Sequence, residues 1–264
     1  MSFQPILPQP GLAGWAFLQR TKQMQQANFV KSPSIERDVE HFRSAFHEIT
    51  SAAALVDNPR ALKVALGAFG LQDQFNSRAL IRKIVEDGVS ERGALANRLA
   101  DKRFLDFARA FEYLSAPDNM SPQSNFPEDI IVSYQRKLFE AAVGEQDRSI
   151  QLALTLQHEL PKLSVDYSSN TARWFAVIGN PYLRESFQIS LGFPQEFSFL
   201  DVESQVLRMK SAAQRKYGTS DFIELSRDEH LEQITRDFLV MSQLRGLAVQ
   251  STSSSIALTL LRGL

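Results

Sequence analysis

The chain has 264 residues, 44% of them hydrophobic, and its 29 Lys and Arg nearly balance 30 Asp and Glu, for a formal net charge of −1. This is an ordinary globular composition with no bulk attraction to nucleic acid or anionic membrane. The absence of cysteine removes disulfides, thiolate metal sites and cysteine nucleophiles together.

Pro5, Pro8, Pro10 and Gly11 predict an extended start. No basic stretch leads into an apolar run there, so no cleavable signal peptide is expected. Ala13 to Phe29 reads as a helix whose apolar face, broken by Gln19, Gln23, Gln25 and Gln26, is too thin to stand alone. Ser32-Pro33 opens a stronger helix with Ile35, Val39, Phe42, Phe46 and Ile49 on a narrow seam. Short helices follow over Ser51 to Val56, Asn58 to Phe69 and Ser77 to Asp87, the last closed by Gly88. Ser90 is placed to cap the next helix, and Asp101 one that buries Phe104, Phe107 and Phe111. Pro117, Pro122 and Pro127 with intervening Asn and Ser make Ser115 to Pro127 a linker that divides the chain.

The second half opens with a helix over Glu128 to Val143, closed by Gly144, and another from Asp147 to Leu160, closed by Pro161. Thr171 to Ile178, Asn180 to Leu191 and Asp201 to Tyr217 follow, the last buried through Val202, Val206 and Leu207. Ser226 and Glu229 form a capping-box pattern for a helix carrying Leu231, Ile234, Phe238 and Met241 and ending at Gly246. A flexible polar run, Ser251 to Ser255, then leads to an apolar tail containing Ile256, Leu258, Leu260, Leu261 and Leu264. No strand pattern survives its context and no apolar segment approaches the ~20 residues that span a bilayer. The fold class is therefore all-α, a multi-helix bundle of two related helical subdomains. The expected segments are 1–31, an extended start and helix; 32–114, the first subdomain; 115–127, the linker; 128–246, the second subdomain; and 247–264, a flexible apolar tail.

The relation between the halves rests on an echo. Ala54-Leu55-Val56-Asp57-Asn58-Pro59 returns as Ala176-Val177-Ile178-Gly179-Asn180-Pro181, with Gly70 and Gly192 at equal distance beyond. Asn as cap, Pro at the first helical position and Gly at the stop are helix grammar. The apolar stripe of the second copy, Leu183, Phe187 and Leu191, is shifted by one residue against Leu62, Ala65, Leu66 and Phe69 of the first. Asp101, Phe104, Phe107, Arg109 and Phe111 have counterparts in Asp228, Leu231, Ile234, Arg236 and Phe238. Duplication and two independently similar helices both remain open on this evidence.

The segment Asn58 to Leu71, with Ala96 to Phe104 downstream, resembles a family of uncharacterised alphaproteobacterial proteins encoded among flagellar genes. Phe139 to Asp147 and Trp174 to Asn180 are similar to its second half. The resemblance implies a cellular setting, cytoplasmic or flagellum-associated, and supplies no catalytic residues.

The search for chemistry returns little. His41, His47, His158 and His230 are scattered, and His158-Glu159 is followed by Pro161 and Lys162 where a zinc-protease helix needs its second histidine. No phosphate loop, dinucleotide fingerprint or nucleophile elbow is present. Asp101-Lys102-Arg103, Arg109 and Arg236 are candidates for an anion site at a helix start, against the plainer reading of caps and interhelical pairs. Arg136-Lys137 and Arg215-Lys216 read as solvated faces, and the 19 Phe as core. No catalytic, cofactor-binding or metal-binding residue and no cofactor is assigned. The expected function is a non-enzymatic structural or adaptor protein of the bacterial flagellum, working through helical contacts with a protein partner, either a flagellar component or another copy held through the termini. The alternatives are a cytosolic chaperone for a flagellar export substrate and an enzyme with a dispersed, motif-less site.

Overall fold

A computed structural model of the protein describes residues 3–115 and 125–262, with side chains described through residue 247. Among the described residues every regular element is helical and no strand forms.

The helices, in order, are α1 (Gly11–Phe29), α2 (Pro33–Ala45), α3 (Ala52–Asp57), α4 (Pro59–Ala68), α5 (Arg78–Asp87), α6 (Leu95–Arg98) and α7 (Arg103–Ala110). These are followed by α8 (Phe126–Gly144), α9 (Arg148–Asp166), α10 (Asn170–Gly179), α11 (Pro181–Ser190), α12 (Val202–Tyr217), α13 (Phe222–Leu225) and α14 (Asp228–Arg262). The chain forms two compact units. One comprises Met1–Ile6 and Arg20–Val143, the other Leu7–Gln19 and Gly144–Leu264, so α1 contributes to both.

The dividing point therefore falls at Val143 and Gly144 and not in the expected 115–127 segment, of which 116–124 lie outside the described residues. The reason is α8, which belongs to the first unit: Tyr134 donates to Asp38 on α2, and Phe139 meets the Phe29 ring edge-on at 5.6 Å. Pro127, expected in the linker, sits in the first turn of α8, where its missing N–H costs no hydrogen bond.

Within each unit the echoed stretch folds the same way. Asn58 Oδ1 accepts from the Ala61 amide, and Asn180 Oδ1 from the Tyr182 and Leu183 amides. At the other end Leu71 N–H donates to Leu66 O and Gly70 N–H to Gly67 O, while Phe193 N–H donates to Gln188 O and Gly192 N–H to Ile189 O. Both are Schellman closures, with Gly70 and Gly192 left-handed at φ 70° and 76°. The buried faces are in register, which corrects the expected one-residue shift. Ala61, Val64, Ala65, Leu66 and Ala68 correspond to Leu183, Ser186, Phe187, Gln188 and Ser190, all buried. Three of the latter are polar and so escaped the apolar stripe. Each donates to a backbone oxygen: Ser186 to Tyr182, Gln188 to Pro194 and Ser190 to Phe187. The helix pairings recur as well. α2 packs on α4, and α3 on α4 and α5, as α9 packs on α11, and α10 on α11 and α12.

Several other expectations are corrected. Pro161 does not end α9, which continues to Asp166, so one helical hydrogen bond is lost in its interior. Of Val202, Val206 and Leu207 only Val206 is buried; α12 turns Met209, Ala212 and Ala213 inward instead, leaving Leu207 67% exposed. The Ser226 hydroxyl donates back to Ile223 O and closes α13, so it does not act as the helix-start cap expected there. Ser90 binds Glu112 Oε1 and caps nothing; α6 instead receives Asp87 Oδ2 at the Leu95 amide. Gly246 and the serine run do not interrupt α14, whose backbone stays helical to Arg262. A helical glycine costs ~1 kcal/mol and serine less than that, which is not enough to stop a helix already nucleated over about five preceding turns.

Candidate functional site

The charged residues singled out in the sequence do not converge on an anion site. Asp101 Oδ1 accepts from the Arg103 amide at 3.0 Å, and its carboxylate holds the Arg103 guanidinium, with Nη2 to Oδ2 at 2.7 Å. Arg103 Nη1 in turn donates to the Gly70 carbonyl, so the pair fastens the C-terminal end of α4. Arg109 lies 4.0 Å from Asp106.

Of the basic dipeptides, Arg215-Lys216 is exposed as expected, whereas Arg136-Lys137 is not the solvated face expected of it. Lys216 Nζ donates to Ser190 O at 2.6 Å and pairs with Asp237 at 2.9 Å, closing α11 as Arg103 closes α4. Arg136 and Lys137 have side chains only 22% and 12% exposed and turn toward the buried Glu140, with Lys137 Nζ at 3.2 Å. Lys22 joins this group. Burial pulls its ammonium below the usual lysine range, and the Glu140 carboxylate opposes that shift.

Arg236 is the exception, because it borders a cavity in the second unit. There α1 follows α9 in the same direction: the Gly11 amide donates to Asp147 Oδ2 at 2.9 Å and Gln19 Nε2 to Gln157 Oε1 at 3.2 Å. Asp147 is also the N-cap of α9, accepting from the Ser149 and Ile150 amides, so one carboxylate sets the start of α9 and anchors α1 beside it. Beside α1 and α14 a cavity of about 420 Å³ remains. Leu12, Trp15 and Ala16 line it from α1; Glu232 and Arg236 line it from α14. Thr235 also reaches it, but its hydroxyl donates to Leu231 O at 2.7 Å and is already satisfied. Periodicity pointed to Arg236 only as the counterpart of Arg109; Trp15 and Glu232 carried no local signal.

The second feature is the exposed side of α14. Leu244 and Leu247 are 54% and 63% exposed, beyond the segment where Leu231, Ile234, Phe238 and Leu239 enter the core. By contrast α1 is integrated into the fold, with Leu18 at 0% and Phe29 at 8% exposure. Gln25, buried, donates to and accepts from the backbone of Ile6. Among the described residues no group of three or more His, Asp or Glu is placed to hold a metal ion, and no helix is long and apolar enough to cross a membrane.

A crystal structure of protein AGR_C_984 from Agrobacterium tumefaciens matches with a TM-score of 0.72 over 91% of this chain and 99% of that one, at 19% identity, and so shares the fold. No curated protein matches the chain. Neither the family nor this structural relative points to catalysis. A family model described as a protein of unknown function, DUF1217, matches residues 68–230, more than half of the sequence, and the chain belongs to that family.

Proposed function

We propose that this protein is a non-enzymatic structural or adaptor component of the bacterial flagellum, acting through helix–helix contacts made by the distal part of α14. The observation that supports this reading is the unbroken backbone helix to Arg262, whose apolar residues leave the core at Leu244 and Leu247. Burying two leucines contributes roughly 3–6 kcal/mol. That is at or below the several kcal/mol of rotational and translational freedom lost on association. Two leucines are therefore too few for the contact, and the sequence beyond them continues with Ile256, Leu258, Leu260 and Leu261. The association is assigned to this end alone, because α1 is packed into its own chain. The flagellar setting rests on the resemblance carried by Asn58 to Leu71 and Ala96 to Phe104.

The test is fractionation of the organism that carries the gene, with an antibody against the folded protein. Purified flagellar structures are expected to hold the protein at a fixed ratio to the structural subunits. Its absence from every flagellar fraction would overturn the proposal.

A further inference from the structure

Glu232 and Arg236 stand one turn apart on α14, acid before base, the order that favours pairing on a helix surface. Yet neither side chain makes an ion pair or hydrogen bond among the described residues, so their charged groups are more than 4.0 Å apart. Both instead border the cavity that Trp15 and Leu12 line from α1. The cavity thus presents a guanidinium, a carboxylate and an apolar aromatic wall. Gln19 and Gln157 border it too, joined to each other.

We infer that this cavity binds a free α-amino acid with an apolar or aromatic side chain. Arg236 receives the ligand carboxylate in the two-pronged geometry that guanidinium groups offer. Glu232 receives the ammonium, and the side chain lies against Trp15, Leu12 and Ala16. At about 420 Å³ the space lies toward the small end of ligand pockets and holds one such molecule with its first waters. An inorganic anion leaves Glu232 opposed by a like charge and Trp15 unused. A simple amine leaves Arg236 unpaired. The zwitterion satisfies both charges, and its side chain uses the apolar wall. Neither Leu244 nor Leu247 lines the cavity, so this inference stands or falls independently of the flagellar reading.

The experiment is calorimetric titration of the full chain with L-phenylalanine and L-leucine, using phenylalaninamide and N-acetylphenylalanine as controls lacking the carboxylate charge and the ammonium. Trp15 supplies a second readout, because the other tryptophan, Trp174, is fully buried. Saturable binding of both amino acids is expected, with a dissociation constant below roughly 1 mM. Each control should bind about tenfold or more weakly, and so should R236Q. Trp15→Ala should bind weakly and lose the fluorescence change. Arg236 is exposed, so R236Q should melt as the parent does. No heat and no fluorescence change with either amino acid at roughly 10 mM would overturn the inference. So would binding that R236Q leaves unchanged.

Discussion

Tyr134 on α8 donates its hydroxyl to Asp38 Oδ2 on α2 at 3.1 Å, a bond between residues 96 positions apart. The same oxygen accepts from Lys63 Nζ at 2.6 Å, and Arg60 lies 3.6 Å from Oδ1, so one buried carboxylate joins α2, α4 and α8. Tyr134 also lies against Gly67, where a Cβ would come within 2.5 Å of its ring.

Three substitutions read this junction. Asp38→Ala strands a buried phenol and should cost about 1–3 kcal/mol in denaturant melts, whereas Tyr134→Phe removes the donor itself and should cost about 1 kcal/mol. Lys63 and Arg60 are half exposed and find water, so they add little. Gly67→Ala should destabilise by about 1–3 kcal/mol through overpacking, even though alanine is the better helix former. Stabilisation by Gly67→Ala would contradict the packing described.

Tyrosines predict the alkaline response. Burial raises Tyr113, Tyr134 and Tyr217 well above the ordinary value of about 10, with Asp38 adding to the shift at Tyr134. The folded chain therefore keeps protons that the unfolded chain releases, so stability is intact below about pH 10 and falls as pH rises beyond it. Among the described residues the buried Tyr113 hydroxyl has no hydrogen-bond partner. Tyr113→Phe should accordingly be neutral or stabilising at pH 8, and its melting temperature should decline less between pH 9.5 and 11 than the parent's, all pH values being chosen to bracket the ~10 reference. An equal or steeper decline would contradict this.

Two glycines with no atom of the described residues within 4 Å of an added Cβ separate conformation from packing. Gly192 is left-handed at φ 76°, so Gly192→Ala should cost about 1 kcal/mol. Gly246 lies inside α14, and Gly246→Ala should raise helicity and stabilise by up to ~1 kcal/mol. Loss of helicity in Gly246→Ala would mean that the helix stops there.

Pro161 lies inside α9 and leaves one carbonyl of the preceding turn without its helical partner. Pro161→Ala should raise the unfolding midpoint, by an amount equivalent to about 1–3 kcal/mol. An unchanged or lower midpoint would show that α9 depends on the proline.

What was legible in the sequence was local. Asn58 with Gly70, Asn180 with Gly192, and Asp101 each act within one helical turn, and their residue types carry the signal. What was not legible depended on partners far along the chain. Ser186, Gln188 and Ser190 look solvent-facing by composition, yet each finds a backbone oxygen and is buried. Val202 and Leu207 look like core, yet α12 rotates them outward. Pro161 and Gly246 carry real penalties, but single penalties do not overcome helices held by many other residues. The cavity brings Trp15 and Arg236 together from opposite ends of the chain, which no periodicity encodes.

The most direct measurement replaces the native gene with one that stops after Gly246, and follows melting of the purified chain together with flagellar incorporation and swimming. The account predicts a chain that melts cooperatively within about 1 kcal/mol of the parent, because Leu239 is the last buried residue of α14 among the described side chains, but that is lost from flagellar fractions and leaves cells non-swimming. A truncated protein that incorporates and supports full swimming would contradict the central claim, as would one that fails to fold.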